Sequence, residues 1–195
     1  TIVHPCQEMA LMMTLRERLG EVQNRKFLLT WTWHPRPLNT AVANSAALIS
    51  TKFGMDVTLL CPEEAYRLDP QFEEAATRFA EEQGGSFQVT HDIEEAYDGA
   101  EVVYAKSWGA LPYYGRPEDE WALRKNYRHF IVDEEKMALT KNGLFSHCLP
   151  LRRNVKATDG VMDSDYCVAI DEAENRLHVQ KAIMMRLLGS APRRF

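Results

Sequence analysis

The sequence predicts an α/β fold, a doubly wound parallel sheet with helices on both faces. Two observations lead to it. Apolar, β-prone runs alternate with helical patterns along most of the chain, as expected for a parallel sheet covered on both sides. Glycines (Gly54, Gly84-Gly85, Gly99, Gly143) fall at helix-to-strand junctions, where a left-handed cap residue is wanted. At 195 residues, 45% of them hydrophobic, the chain is long enough to bury a real core.

The elements follow in order. His4-Pro5 opens a first helix to about residue 19, with Met9, Met12, Met13 and Leu15 on its apolar face; proline is favoured at the first helical position. Residues 26–33, 55–61, 86–90, 101–105 and 144–148 read as strands. Residues 40–53, 70–83, 93–97, 117–128 and 133–140 read as helices. A last helix opens at Asp171, with Glu174 at capping-box spacing, and runs to about residue 188. Residues 190–195 read as a loose tail. The organisation is therefore a helix over 1–20, an α/β domain over 21–170, and a helix with its tail over 171–195.

Composition excludes several classes. The net charge is −5 and the cations occur in local pairs, which gives no support for nucleic-acid binding. No apolar run approaches membrane-spanning length. Cys6, Cys61, Cys148 and Cys167 lack zinc-site spacing and fit a reducing cytoplasm. No G-x-G-x-x-G, P-loop or H-E-x-x-H occurs, so NAD and ATP lack their usual support.

Chemistry concentrates in two segments. In Ser146-His147-Cys148-Leu149-Pro150-Leu151-Arg152-Arg153, a histidine, a thiol and two guanidinium groups follow a short buried strand. Strand ends are where an open α/β sheet binds its ligand, here one expected to be anionic. Cys148 reads as a core thiol, a hydrogen-bonding partner or a nucleophile. The Arg152-Arg153 pair favours reactivity, but His147 points to the opposite strand face, against a Cys-His pair. In His4-Pro5-Cys6-Gln7, a neutral imidazole at a helix start suits polarising a carbonyl, and the alternative is a capped helix with an exposed histidine. Arg176 reads either as a surface ion pair with Glu172 or as a donor to an anionic or carbonyl oxygen. Lys106-Ser107-Trp108-Gly109, at a strand's carboxyl end, reads as a closing loop or as an ordinary loop with one buried tryptophan. Asn39 reads as an N-cap or a ligand contact.

Together these segments resemble the transcarbamylases. H-P-x-Q opens that family's interdomain helix, H-C-L-P marks its ornithine-type members, and the stretch from Asp171 to Ala182 is similar to its closing segment. The resemblance covers nearly the whole chain and implies the amino-acid-binding second domain with its two interdomain helices. It also implies that the carbamoyl-phosphate-binding first domain is absent, since Ser50-Thr51-Lys52 does not match the family's S-x-R-T loop. The complete enzyme is expected to be a cytoplasmic homotrimer with shared active sites, needing no metal or organic cofactor, and the fragment alone is expected to be inactive.

The resemblance assigns roles as follows. His4 and Arg176 donate to the carbonyl oxygen of carbamoyl phosphate. Gln7, with the Cys148 and Leu149 backbone, orients its NH2 group. Cys148 aligns the amine or removes its proton. Asn39, Lys106, Leu149 and Arg152 hold the amino-acid substrate. Plain ornithine enzymes carry D-x-x-x-S-M-G after the corresponding strand, and the corresponding stretch here is Glu101-Val102-Val103-Tyr104-Ala105-Lys106-Ser107-Trp108-Gly109. Acylating the α-amino group removes a positive charge, so the site should lose a carboxylate and gain cations. Lys106 and Arg152 fit this change, and Trp108 fits beside an acyl group. The pattern is similar to the N-acetylornithine branch of arginine biosynthesis, with N-succinylornithine or ornithine as alternative acceptors. Lys156 is either a solvated lysine or the carboxylated lysine that the resemblance implies. The rival from another class is a non-catalytic α/β ligand-binding module; a dehydrogenase is weaker, for want of the glycine fingerprint.

Overall fold

A computed structural model describes residues 2–189; the expected tail over 190–195 lies outside the described residues. The strands are β1 (Lys26–Trp31), β2 (Asp56–Leu60), β3 (Ser86–Thr90), β4 (Val102–Lys106) and β5 (Leu144–Ser146). They form one five-stranded sheet in the order β3-β2-β1-β4-β5, and every pairing is parallel. The central strands are apolar almost without interruption because both their faces are covered; Phe27, Leu28, Leu29, Val102, Val103 and Tyr104 are all buried. Each such side chain contributes roughly 1.5–3 kcal/mol. β3, at the edge, alternates instead, with Phe87 and Val89 less exposed than Ser86 and Gln88.

α1 (Pro5–Leu19), α2 (Ala41–Lys52) and α3 (Pro70–Gln83) pack in succession along one side of the sheet. α4 (Ile93–Tyr97) rests on β2 and β3 and meets α6 (Glu134–Ala138), which meets α7 (Asp159–Met162). α5 (Pro117–Arg124) lies between β4 and α6 in sequence, and α8 (Ala169–Leu187) closes the described chain. The path steps outward through β1, β2 and β3, then crosses back to β4 and β5. Right-handed crossovers then place the two helix sets on opposite faces. The reversal falls between β1 and β4, the switch point at which such sheets bind ligands.

Several boundaries differ from expectation. The strand expected over 26–33 stops at Trp31, because the Trp33 N–H turns to the Phe130 carbonyl at 2.8 Å. The helix expected over 117–128 ends at Arg124 and tightens into a 3-10 turn at Lys125–Tyr127. That turn brings Tyr127 and Phe130 edge-on to Trp31, at 6.5 and 5.7 Å between centroids. The last helix starts at Ala169, before the expected capping box. Its N-cap, Val168, uses no side chain; its N–H instead bonds the Phe145 carbonyl at 2.9 Å, tying the helix start to β5. Asp171 is free to pair with Arg18 of α1 at 2.7 Å. Gly84 is the left-handed cap that was expected (φ 76°). At the β5 junction the left-handed residue is Asn142, and Gly143 is required by crowding, since a Cβ there would lie 2.9 Å from the Ala100 carbonyl.

α1 and α8 pack against each other. Asn175 donates to Thr14 Oγ1 at 2.9 Å and to Glu17 at 2.7 Å. Their outer sides leave Met9, Leu177, Met184 and Leu187 exposed.

Candidate functional site

The reactive residues gather at the carboxyl ends of β1, β4 and β5, beside the start of α1 and the first turns of α8. Beyond β5 the chain alternates faces, as a strand must. Cys148 meets Lys106, whose Nζ donates to its Sγ at 3.4 Å. His147 goes the other way, and its Nε2 lies 3.3 Å from Lys156 Nζ. Leu149 then takes a left-handed φ of 46°, a strained conformation for a branched side chain. Its N–H donates to His147 Nδ1 at 2.9 Å.

That last bond fixes the local proton inventory. Burial, with Lys156 and Lys106 nearby, pushes the His147 pKa well below the usual imidazole range. The ring is therefore neutral, and Nδ1 is its acceptor. Its proton must sit on Nε2, so Lys156 Nζ accepts there only once it has lost its own proton. The surroundings bring that loss within reach. Burial, with Lys106 and Arg152 adding repulsion, brings Lys156 down to about 8. Burial likewise pushes the Cys148 thiol up, against the opposing pull of Lys106. Cys148 is thus a held thiol, which disfavours the nucleophile reading.

At the start of α1, the His4 N–H donates to Ser45 Oγ of α2 at 2.7 Å, and the His4 side chain makes no cap hydrogen bond. Its imidazole has no partner among the described residues. Gln7 is buried, and its Nε2 donates to Glu172 of α8. Arg176 lies one turn beyond Glu172. Of the two readings of Arg176, the ion pair with Glu172 does not form; Glu172 is occupied by Gln7, Ser146 at 2.5 Å and Tyr104 at 3.2 Å. Arg176 Nε is buried without a partner, an unmet donor of the kind that marks a ligand position.

Two regions depart from expectation. Trp108 is fully buried, its Nε1 donating to the Tyr66 carbonyl at 2.7 Å, so it packs the core and is not beside an acyl group. Gly109 is no hinge; a Cβ there would meet Pro37 Cβ at 2.8 Å. Arg153 turns away to Asp159 and Asp163, and Arg152 is the arginine whose charge reaches Lys156 and His34. Asn39 is exposed, and its Oδ1 accepts from the Ala41 N–H at 3.1 Å, so it does help to start α2. It lines a cavity of about 460 Å³ with residues of the 109–115 loop, apart from the Lys106–Cys148 contact.

The family model for the aspartate/ornithine carbamoyltransferase Asp/Orn binding domain matches residues 29–187. The chain belongs to this family. It is 64% identical to the N-acetylornithine carbamoyltransferase of Xanthomonas campestris over 98% of its own length, and 61% identical to that of Xylella fastidiosa over 96%. It is 38% identical to the ornithine carbamoyltransferase of Methanothermobacter thermautotrophicus. The crystal structure of acetylornithine transcarbamylase complexed with acetylcitrulline superimposes with a TM-score of 0.95 over 96% of this chain, at 64% identity. The chain spans a little over half of these relatives, 57% of the Xanthomonas protein and 57% of the crystallised chain.

Within this Asp/Orn-binding domain, motif reading missed four groups that the fold brings to the site. His34, beyond β1, is buried, and its pKa is lowered by burial together with the charges of Lys156, Arg152 and Arg124. Glu8, Tyr104 and Glu172 form a buried polar chain beneath Gln7. One sequence signal was available: Glu8 directly follows Gln7 on a helix whose neighbouring positions are apolar, where a carboxyl needs a partner.

Proposed function

We propose that this domain binds the acceptor in carbamoyl transfer from carbamoyl phosphate to the δ-amine of N-acetyl-L-ornithine, giving N-acetyl-L-citrulline and phosphate in arginine biosynthesis. The observation that carries the reading is the cluster of Lys106, Arg152 and Lys156 at the switch point. Among the described residues none of the three is in a salt bridge with a carboxylate. Such a site suits an acceptor that keeps its α-carboxylate and has lost its ammonium charge by acylation. The identity to N-acetylornithine carbamoyltransferases supports acetyl as the acyl group.

The neutral δ-amine attacks the carbonyl carbon, forming the C–N bond as the carbonyl electrons move to oxygen. His4 and Arg176 donate to that oxygen as its charge grows. The Gln7 amide oxygen and the Leu149 carbonyl accept from the carbamoyl NH2. The C–O bond to phosphate then breaks, and the amine's surplus proton passes to the departing phosphate. Cys148, kept a thiol by burial and positioned by Lys106, aligns the amine. Lys106 and Arg152 hold the acylornithine, while Asn39 borders a separate cavity. Lys156, a neutral amine near pH 8, is suited to add to CO2, forming an N-carboxylate and releasing one proton; the carboxylate would accept the His147 Nε2 proton and lie between Lys106 and Arg152. The exposed apolar sides of α1 and α8 support docking to a carbamoyl-phosphate-binding domain within a cytoplasmic homotrimer.

The test is an assay of the full-length polypeptide with carbamoyl phosphate and ornithine, N-acetylornithine or N-succinylornithine. The expected result is N-acetylcitrulline as the preferred product. No citrulline-type product from any acceptor overturns the reading, and preference for ornithine overturns the charge argument. A carbamate signal in 13C NMR with labelled bicarbonate, absent from Lys156→Met, checks the modified lysine, and sedimentation checks the trimer.

A further inference from the structure

Gln7 is useful to carbamoyl transfer only if its amide faces the right way, and an amide can present oxygen or nitrogen with little steric difference. The network beneath it removes that freedom. Gln7, Glu8, Tyr104, Ser146 and Glu172 are all buried. Glu172 accepts from Gln7 Nε2, from Ser146 Oγ at 2.5 Å and from the Tyr104 hydroxyl at 3.2 Å. The same hydroxyl is 3.3 Å from Glu8 Oε1, yet a phenol has one proton to give. Burial raises both carboxyls, with the charge of Glu172 adding to it at Glu8, while Ser146, Gln7 and Tyr104 all donate to Glu172 and favour its carboxylate. The chain then reads Glu8 carboxyl to Tyr104 to Glu172 carboxylate, every proton pointing at Glu172. An ionised carboxylate only accepts, so it faces only the NH2 end of Gln7. The amide oxygen is left for the ligand and makes no hydrogen bond among the described residues.

We propose that Glu172 is a positioning residue which, through Gln7, makes the site select a donor substrate carrying an N–H group. The inference rests on the carbamoyl-transfer reading and adds a discrimination to it. Carbamoyl phosphate offers NH2 to the Gln7 oxygen. Acetyl phosphate has nearly the same shape and the same phosphate but offers a methyl group, which leaves that oxygen unpaired. A site that hydrogen-bonds a substrate N–H rejects the analogue that lacks it.

The test uses the full-length enzyme and compares the KM for carbamoyl phosphate with the inhibition constant of acetyl phosphate. In Glu172→Gln the neighbour of Gln7 can donate as well as accept, and Gln7 is free to flip. The expected result is a loss of about tenfold in the preference for carbamoyl phosphate, the size of one hydrogen bond, with the KM for N-acetylornithine unchanged. Tyr104→Phe keeps the ring and its packing while removing one donor to Glu172. It should lower the same preference by a smaller factor, and it carries the test where Glu172→Gln does not fold. An unchanged preference in the folded variants, or equal weakening of both phosphates, overturns the proposal while leaving carbamoyl transfer standing. A wild-type enzyme that forms no carbamoyl product overturns the underlying reading instead.

Discussion

Two buried basic side chains contact segments that follow strand ends, Arg124 beyond β1 and β4 and Lys156 beyond β5, and they are compensated in opposite ways. Arg124 is 1% exposed and pairs with Glu120, itself 2% exposed. It also donates to the Trp108 carbonyl at 2.8 Å and to the His34 carbonyl at 3.3 Å, and lies 5.3 Å from the ring centroids of Trp31 and Tyr66. Lys156 is 3% exposed, but its neighbours are the cations Lys106 and Arg152, and its side-chain hydrogen-bond partner is a histidine nitrogen. A charge removed from water must recover its solvation from the protein. Arg124 does so at both terminal nitrogens, with its Nε alone unpartnered, and braces the loop after β4. Lys156 does not, and releases its proton near pH 8. A compensated cation here is architecture, and an uncompensated one is chemistry.

The largest effect should come from breaking the compensated site. Arg124→Ala leaves Glu120 buried with no cation and only the Ala110 N–H as partner, and should lower unfolding free energy by roughly 3–5 kcal/mol, read by chemical denaturation. A loss near zero would mean that the pair is not the brace described. Lys156→Met should do the reverse. The folded-state pKa of about 8 lies below the ordinary 10.5. Below pH 8 both states hold the proton, and burying the charge costs stability. Between pH 8 and 10.5 the unfolded chain holds a proton that the folded chain has released, so stability rises with pH, by about 3 kcal/mol for that interval. In CO2-free buffer the difference between wild type and Lys156→Met should shrink over this window, and a constant difference would show that the amine is not destabilised by burial. The smallest effect is at Cys148, whose thiol is raised by burial and partly held down by Lys106. Alkylation at pH 8 should be slow, and a few-fold slower in Lys106→Met because a stabilising cation is lost; faster alkylation in that variant would contradict the contact.

Much of the fold was legible because it follows from local rules. Continuous apolar runs require strands covered on both faces, and Pro5 marks a helix start at which the first helix does begin. The misreadings share a cause. Trp108 beside a lysine resembles a ligand contact, yet the core claims it through the Tyr66 carbonyl. Arg153 resembles Arg152 until Asp159 and Asp163, six and ten residues on, capture it. Asp171 has the spacing of a cap, yet a strand carbonyl starts the helix earlier. In each case the deciding partner is remote in sequence or outside any motif.

By itself, then, the sequence determined the strand and helix order, two motifs that carry His4, Gln7, Cys148 and Leu149, and the basic residues Lys106 and Arg152 that follow two of the strands. These follow from side-chain periodicity and residue chemistry, which act over a few positions. Only the tertiary structure decided protonation and direction: that Lys156 releases its proton near pH 8, that the Cys148 thiol is raised, and that the Gln7 amide faces one way. Those properties depend on how much water burial removes and on which charges are brought across from another strand or helix. Glu172 is 165 residues from Gln7 along the chain, and no local pattern encodes that contact.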